Sequence, residues 1–254
     1  MTESDVQNAP EGGTARIAVL VPAWNEARNV GATVREIRAA NARYDVIVID
    51  DGSTDDTADV ARQAGATVLS LPFNLGVGGA MRTGFTYAAR GGYAAAIQVD
   101  ADGQHDPADI ERVLGGLERA DISIGARFAD VGDYSVRGPR RWAMIVLARV
   151  VTRIAGTRLT DVTSGFRAAS PRAIAQYVRY YPAEYLGDTL DSLVAALHAG
   201  LKVTQVPVAM RPRQHGNPSQ GAWGSTVYLA RSVFALTLAL MRPKTAAQTV
   251  GADA

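Results

Sequence analysis

The chain has 254 residues, enough for one large α/β domain with a buried core or for two small ones. Hydrophobic residues make up 47% and charged residues 20%, which excludes a disordered or fibrous chain, and a net charge of +1 argues against general nucleic-acid binding. The absence of cysteine rules out disulfides and thiolate zinc sites and fits a cytoplasmic setting.

Residues 1–15 are polar and rich in small side chains, so a disordered tail is expected, without the apolar core of a secretory signal. Ile17 to Val21 reads as a buried strand that stops at Pro22. Val30, Val34 and Ile37 then recur at helical spacing, with Asn29 placed to cap the helix. Tyr44 to Ile49 is a second strand ending at Asp50 and Asp51, and Ser53 is expected to open the next helix. A short strand covers Thr67 to Leu71, and Gly76 to Gly79 leads into a helix through Ala89. Tyr93 to Val99 is a fourth strand, and Asp106 with Pro107 occupies the preferred cap and first-turn positions of a helix. Ile122 to Gly125 is a fifth strand, helices are expected over Arg141 to Ala155 and Leu190 to Ala199, and a strand over Lys202 to Val208. Alternating strands and helices, with strands apolar throughout, imply a largely parallel sheet covered on both faces in a single domain.

In such sheets ligands bind beyond the carboxyl ends of strands, and two strands here end in paired acids. VIVIDDGSTDDT ends at Asp50 and Asp51, and AIQVDADGQHDP ends at Asp100 and Asp102. Residues two apart in extended chain face the same way, so Asp100 and Asp102 can converge on one ligand. Hard oxygen donors suit Mg2+ or Mn2+. Gln104 and His105 follow on the turn, where they either complete that shell or meet substrate. Alone, the D-x-D reads first as turn and cap residues, because a three-residue motif is weak evidence for a metal site.

Further segments make the pattern specific. VPAWNE (Val21 to Glu26), VIVIDDGSTDDT (Val46 to Thr57), NLGVGGAMRTGF (Asn74 to Phe85) and VDADGQHDP (Val99 to Pro107) resemble, in this order, the motifs of family 2 glycosyltransferases. GARF (Gly125 to Phe128), DVTSGFRA (Asp161 to Ala168) and VPVAMRPRQHGNPS (Val206 to Ser219) extend the match. The resemblance is to the dolichyl-phosphate mannose synthase type and its bacterial polyprenyl-phosphate relatives. It implies a GT-A domain over residues 16–220: a Rossmann-like, mostly parallel central sheet flanked by helices. Residues 221–242 then form an apolar C-terminal helix and residues 243–254 a disordered tail.

The resemblance implies that Pro22, Ala23, Asn25 and Glu26 surround the nucleotide of a nucleotide-sugar donor, with Glu26 near the ribose hydroxyls. Asp50 matches the acid that reads the base edge, and Asp51 supports the same loop. Asp100, Ala101 and Asp102 border the donor, and Asp100, Asp102 and Gln104 match the metal-binding positions. Gly76 to Gly79 lacks the Lys and Ser/Thr of a P-loop, so Gly79 is expected to allow close packing beside the donor. Arg127 is the best candidate for a phosphate-binding guanidinium. Arg140 and Arg141 either do the same or start a solvated helix. Arg213, His215 and Ser219 lie in a segment resembling the family's loop over the donor, while His198 sits in a helix as a structural residue.

A hydroxyl acceptor needs a general base, whereas a phosphate acceptor is already anionic. Glu184, Asp188 and Asp191 precede the last strand, with Asp191 nearest the spacing usual for a base in the family. Each serves equally as a cap or surface acid. These candidates leave the acceptor open; the resemblance implies inverting, metal-dependent sugar transfer from a UDP-, GDP- or dTDP-sugar to a polyprenyl-phosphate lipid. The alternatives are transfer to a saccharide hydroxyl, with Asp191 or Asp188 as base, and a catalytically silent nucleotide-sugar binding module. Trp223 to Met241 is strongly apolar but interrupted by Arg231. It reads either as a helix packed on the domain or as one lying in a membrane surface or on a membrane partner, with the protein peripheral to the membrane's cytoplasmic face.

Overall fold

The computed structural model describes residues 15–127, 148–182 and 188–211. Within them the chain runs β1 (Ile17–Ala23), α1 (Val30–Ala40), β2 (Tyr44–Asp50), α2 (Thr57–Gln63), β3 (Thr67–Ser70), α3 (Gly76–Arg90) and β4 (Ala95–Gln98). A 3-10 turn (Pro107–Asp109), α4 (Ile110–Gly115), β5 (Ile122–Arg127) and α5 (148–155) follow. The described chain continues with β6 (Arg167–Ala169), α6 (Pro171–Arg179), α7 (Asp188–His198) and β7 (Val203–Val208).

Seven strands form one sheet in the order β3-β2-β1-β4-β6-β5-β7. β6 runs antiparallel to β4 and β5, and the other pairs are parallel. The largely parallel α/β sheet expected from the sequence is present, with this one reversed strand added. β6 has only three residues, Arg-Ala-Ala, and none carries strong strand preference, so no local signal marks it.

Period-two alternation sorts the strand side chains into two cores. Ala18, Leu20, Ile47, Ile49 and Ala96 pack with Met81 and Phe85 of α3, Tyr177 of α6 and Leu193 of α7. Val19, Val21, Val46, Val48 and Ile97 pack on the other face with Val34 and Ile37 of α1 and Ile110 and Val113 of α4. Burying each such aliphatic side chain contributes roughly 1.5–3 kcal/mol, which fixes strand register against a one-residue slip.

Of the departures from the sequence expectation, three have a clear local reason. β1 runs through Pro22 to Ala23, because β4 pairs only as far as Leu20 and the missing Pro22 N–H faces the side where β4 has ended. Asn29 makes no side-chain cap; its amide instead donates to the Glu26 carboxylate at 2.6 Å. Ser53 does not open α2, which starts at Thr57 after Asp56. The Ser53 hydroxyl is used by Asn25 instead, at 2.9 Å. Asp106 and Pro107 do act as expected: the Asp106 side chain accepts from Ala108 N, with Pro107 in the first turn. Among the described residues, no helix is long and apolar enough to cross a membrane.

Candidate active site

The order in which strands are added reverses beside β1, with β2 and β3 on one side and β4 on the other. In parallel sheets this switch opens a crevice at the carboxyl ends of the strands. The structure brings Pro22, Ala23, Asn25, Glu26, Asp50 and Asp51 to one side of that crevice and Asp100, Ala101 and Asp102 to the other. Asp50 lies opposite Ala23 in the ladder, and Asp51 N donates to the Ala23 carbonyl at 2.9 Å.

The β1 exit is held by hydrogen bonds to the β2 exit. Asn25 adopts φ +55, a left-handed conformation that Asn tolerates better than most residues. Its amide donates to Ser53 Oγ at 2.9 Å and its Oδ1 accepts from Thr54 N at 2.8 Å. Glu26 N donates to Thr57 Oγ1 at 2.8 Å, and Ala27 N to Asp55 Oδ2 at 3.2 Å. Burial works to raise the Asp55 carboxyl, but donors from Thr57 and Ala27 outweigh it and hold the group below its ordinary value. Asp50 Oδ1 accepts from Ser53 N at 3.1 Å, shaping the turn after β2.

Asp51 has a different task. It is buried, and Oδ1 accepts from Leu75 N at 2.7 Å, joining the β2 exit to the start of α3. Burial pushes its carboxyl up, against the pull of the Leu75 and Gly76 amides. Gly52 at φ +67 brings this turn so close that an added Cβ would stand 2.6 Å from the Phe73 carbonyl carbon. Gly79 packs in the same region, where a Cβ would meet Leu75 Cβ at 2.5 Å.

Across the crevice, the Asp100 side chain is 41% exposed. Its Oδ1 accepts from Gln98 Nε2 at 3.2 Å, and its main-chain amide donates to His105 Nδ1 at 3.0 Å. His105 is buried and stacks on Phe166, with ring centroids 4.7 Å apart. This corrects the expectation that His105 completes a metal shell or meets substrate: its ring is sealed beneath Asp100. Asp102 Oδ1 accepts from Gln104 N at 3.0 Å, and Thr33 Oγ1 of α1 anchors the Ala101 carbonyl at 3.0 Å. Among the described residues, no three His, Cys, Asp or Glu side chains gather into a metal-binding group. The hard donors at this turn are thus two carboxylates and the Gln104 amide.

The 208–211 segment straps this turn. Met210 bridges to His105, Arg211 N donates to the Gln104 carbonyl at 2.9 Å, and the Arg211 guanidinium reaches Asp106 and Glu36. On the far side, Arg127 ends β5 opposite Val208 and Asp188 starts α7, with both side chains outside the described part. Asp191 Oδ2 accepts from the Tyr180 hydroxyl at 3.0 Å. Asp161 is buried and its Oδ1 accepts from Thr163 N and Oγ1, the turn-forming role. Arg140, Arg141, Glu184, Arg213, His215, Ser219 and Trp223 to Met241 lie outside the described residues.

Sequence reasoning missed Gln98, Gly165 and Arg167. Gln98 carried a signal: a polar residue inside the apolar run AIQV, two before Asp100 and hence on its face. Gly165 and Arg167 lie within the matched segment DVTSGFRA, but no individual role was expected of either, because their roles come from β6 lying beside β4.

Comparison with known proteins agrees with this architecture. The profile of "Glycosyl transferase family 2" matches residues 18–178. An uncharacterised protein of Methanocaldococcus jannaschii is 31% identical over 195 residues, covering 76% of this chain and 80% of its own. The polyprenol monophosphomannose synthase of Mycolicibacterium smegmatis is 28% identical, with 80% of each chain covered. The undecaprenyl-phosphate mannosyltransferase of Micrococcus luteus is 29% identical, covering 79% of this chain and 86% of its own. Among solved structures, glucosyl-3-phosphoglycerate synthase from Mycobacterium tuberculosis, in complex with Mn2+, UDP and glucosyl-3-phosphoglycerate, superposes with TM-score 0.70. That likeness covers 93% of this chain and 88% of the other at 20% identity, and it speaks to the fold. With the matched profile spanning more than half of the chain and the paired acids at the strand ends, this protein belongs to glycosyl transferase family 2 and is a glycosyltransferase.

Proposed function

We propose that the chain transfers a sugar, with inversion, from a nucleoside-diphosphate sugar to a polyprenyl-phosphate lipid, with Mg2+ or Mn2+ at the donor diphosphate. The observation that carries this reading is the crevice itself. It sets Asn25, Glu26 and Asp50 on the β1–β2 side and Asp100 and Asp102 on the β4 side of a single strand. Acceptor class follows the polyprenol and undecaprenyl-phosphate mannosyltransferases among the relatives.

The residues fit a divalent ion. Such ions are commonly held by one or two carboxylates, with waters and substrate phosphates completing the shell. Asp100 and Asp102, with Gln104 beside them, supply that set. When bound, the metal neutralises charge that builds on the departing nucleoside diphosphate.

The chain's own residues do the rest. Glu26 accepts from ribose hydroxyls and Asp50 from a ring N–H of the base, fixing the donor in the β1–β2 half. An acceptor phosphate oxygen attacks the anomeric carbon from the face opposite the diphosphate. The new C–O bond forms as the old one breaks, and the bonding pair leaves with the nucleoside diphosphate. No proton needs to be removed from a phosphate already ionised near neutral pH. Arg127 and Arg213 bind phosphate oxygens by charge-assisted hydrogen bonds. The Tyr180 hydroxyl donates to Asp191 Oδ2 at 3.0 Å, which ties that carboxylate into the α6–α7 packing and favours this reading over a hydroxyl acceptor with Asp191 as base. Trp223 to Met241 supplies contact with the membrane surface.

The test is transfer from a panel of nucleotide sugars to a short-chain polyprenyl phosphate with Mn2+, Mg2+ or a chelator. A metal-dependent product that partitions into organic solvent is expected. A product that is wholly water-soluble, made only with saccharide acceptors, overturns the lipid acceptor. Removal of residues 223–254 is expected to release the protein from vesicles.

A further inference from the structure

Arg167, the first residue of β6, is buried, yet no carboxylate pairs with it among the described residues. A buried cation ordinarily needs a counter-charge or a full set of acceptors. Here the acceptors are three main-chain carbonyls. Nε donates to Ser164 at 2.7 Å, one terminal nitrogen to Thr189 at 2.7 Å and the other to Val162 at 2.6 Å. Ser164 and Val162 belong to the loop before β6, whereas Thr189 sits in the first turn of α7. A single planar fork therefore ties two separate segments together.

The position of that fork relates it to the crevice. Arg167 stands opposite Gln98 in the β4–β6 ladder, so the two side chains share a sheet face. Gln98 donates to Asp100 Oδ1 at 3.2 Å. Gly165 lies against both: a Cβ there would stand 2.8 Å from Gln98 Nε2 and 3.3 Å from Asp100 Oδ1. The first turn of α7 and the Asp100 carboxylate thus meet through Gln98, Gly165 and Arg167 on one face of the sheet. Asp188 and Asp191 lie in the opening turns of the same helix.

We infer that Arg167 is a positioning residue that moors the first turn of α7, which carries Asp188 and Asp191 and which we assign to the acceptor side, to the strand carrying Asp100. The inference rests on the transfer reaction proposed above for which side each segment serves. Its structural half, the mooring of α7, stands on the three hydrogen bonds alone. Lysine cannot replace arginine here, because one ammonium on a flexible stem cannot reach three carbonyls in a fixed plane.

The experiment compares wild type with Arg167→Lys by two independent readouts. Hydrogen exchange is expected to quicken at least about tenfold in the α7 amides, with β1, β4 and α1 unchanged. In transfer assays, KM for a short-chain polyprenyl phosphate is expected to rise several-fold, while UDP and Mn2+ binding stays within about twofold. Uniformly faster exchange, or exchange unchanged in α7, overturns the mooring. Equal loss of donor and acceptor parameters overturns the positioning role. A wild-type protein that transfers to no acceptor tells against the proposed reaction, and the exchange arm still decides the mooring. If Arg167→Lys does not fold, Arg167→Gln replaces it: it removes the buried cation, and its single side-chain amide has two N–H donors and cannot reach all three carbonyls. The same selective change is expected, and a uniform change overturns the inference.

Discussion

The imidazole of His105 folds back beneath Asp100, five residues earlier, with Nδ1 accepting the Asp100 amide at 3.0 Å and Nε2 standing 3.6 Å from Oδ2. Because Nδ1 accepts, the neutral ring carries its proton on Nε2, on the side of the carboxylate. Stacking on Phe166 fixes the ring plane at an interplanar angle of 13°. The histidine thus acts on the shape of the acidic turn from below.

His105→Phe keeps the stack and the volume but removes the acceptor for Asp100 N. Leaving that amide unsatisfied costs about 1–3 kcal/mol. A lower midpoint of denaturant unfolding, together with weaker Mn2+-dependent nucleotide binding, is expected. Unchanged nucleotide binding in a destabilised variant confines His105 to folding.

Asp102→Ala removes one of the two carboxylates at the turn and also the acceptor for Gln104 N. Loss of metal-assisted charge stabilisation, worth several kcal/mol, lowers transfer at least about a hundredfold. Because the removed side chain lies on a turn at the strand end, folding stability changes by less than about 1 kcal/mol. Wild-type turnover in this variant excludes Asp102 from the metal site.

Gly165→Ala places a methyl group between the Gln98 amide and the Asp100 carboxylate. The main chain of β6 has little room to retreat from β4, so overpacking of about 1–3 kcal/mol is expected. The specific outcome is rotation of Asp100 away from Gln98, read as a raised Mn2+ requirement for nucleotide binding. Gln98→Ala in the same background relieves the clash and restores part of that binding.

Much of this organisation is legible in the sequence because two strong local signals coincide. Apolar runs such as IAVLV and VIVI mark buried parallel strands, and acids immediately after them fall at the carboxyl edge where ligands bind. What escaped depends on contacts between segments far apart in sequence. Asn29 and Ser53 have the composition of helix caps, but their side chains bond to Glu26 and Asn25 because the β1 and β2 exits lie side by side. Pro22 does not end β1, since its missing N–H faces a gap left by a neighbour four residues long. His105 looks like a ligand beside two aspartates and is a buried support, a distinction that only Phe166, sixty-one residues later, makes visible.

Asp55 links the β1 exit to α2, accepting from Ala27 N and from the amide and hydroxyl of Thr57. These donors hold its folded-state carboxyl below the ordinary value of 3.8, despite the opposing effect of burial. A depressed acid binds fewer protons in the folded than in the unfolded state, so its contribution is present above 3.8 and lost as pH falls through the folded value. The group is exposed, so solvent screening keeps the effect small. The measurement is the urea midpoint from pH 7 down to the acid transition, for wild type and Asp55→Asn. The variant is expected to be less stable at pH 7 and to show a shallower acid decline, because asparagine does not titrate. Nucleotide affinity should decline with the same pH profile in wild type, since Asp55 holds the backbone on which Asn25 and Glu26 stand. Parallel stability curves for the two proteins would assign the acid transition to other carboxylates and leave Asp55 as a neutral turn residue.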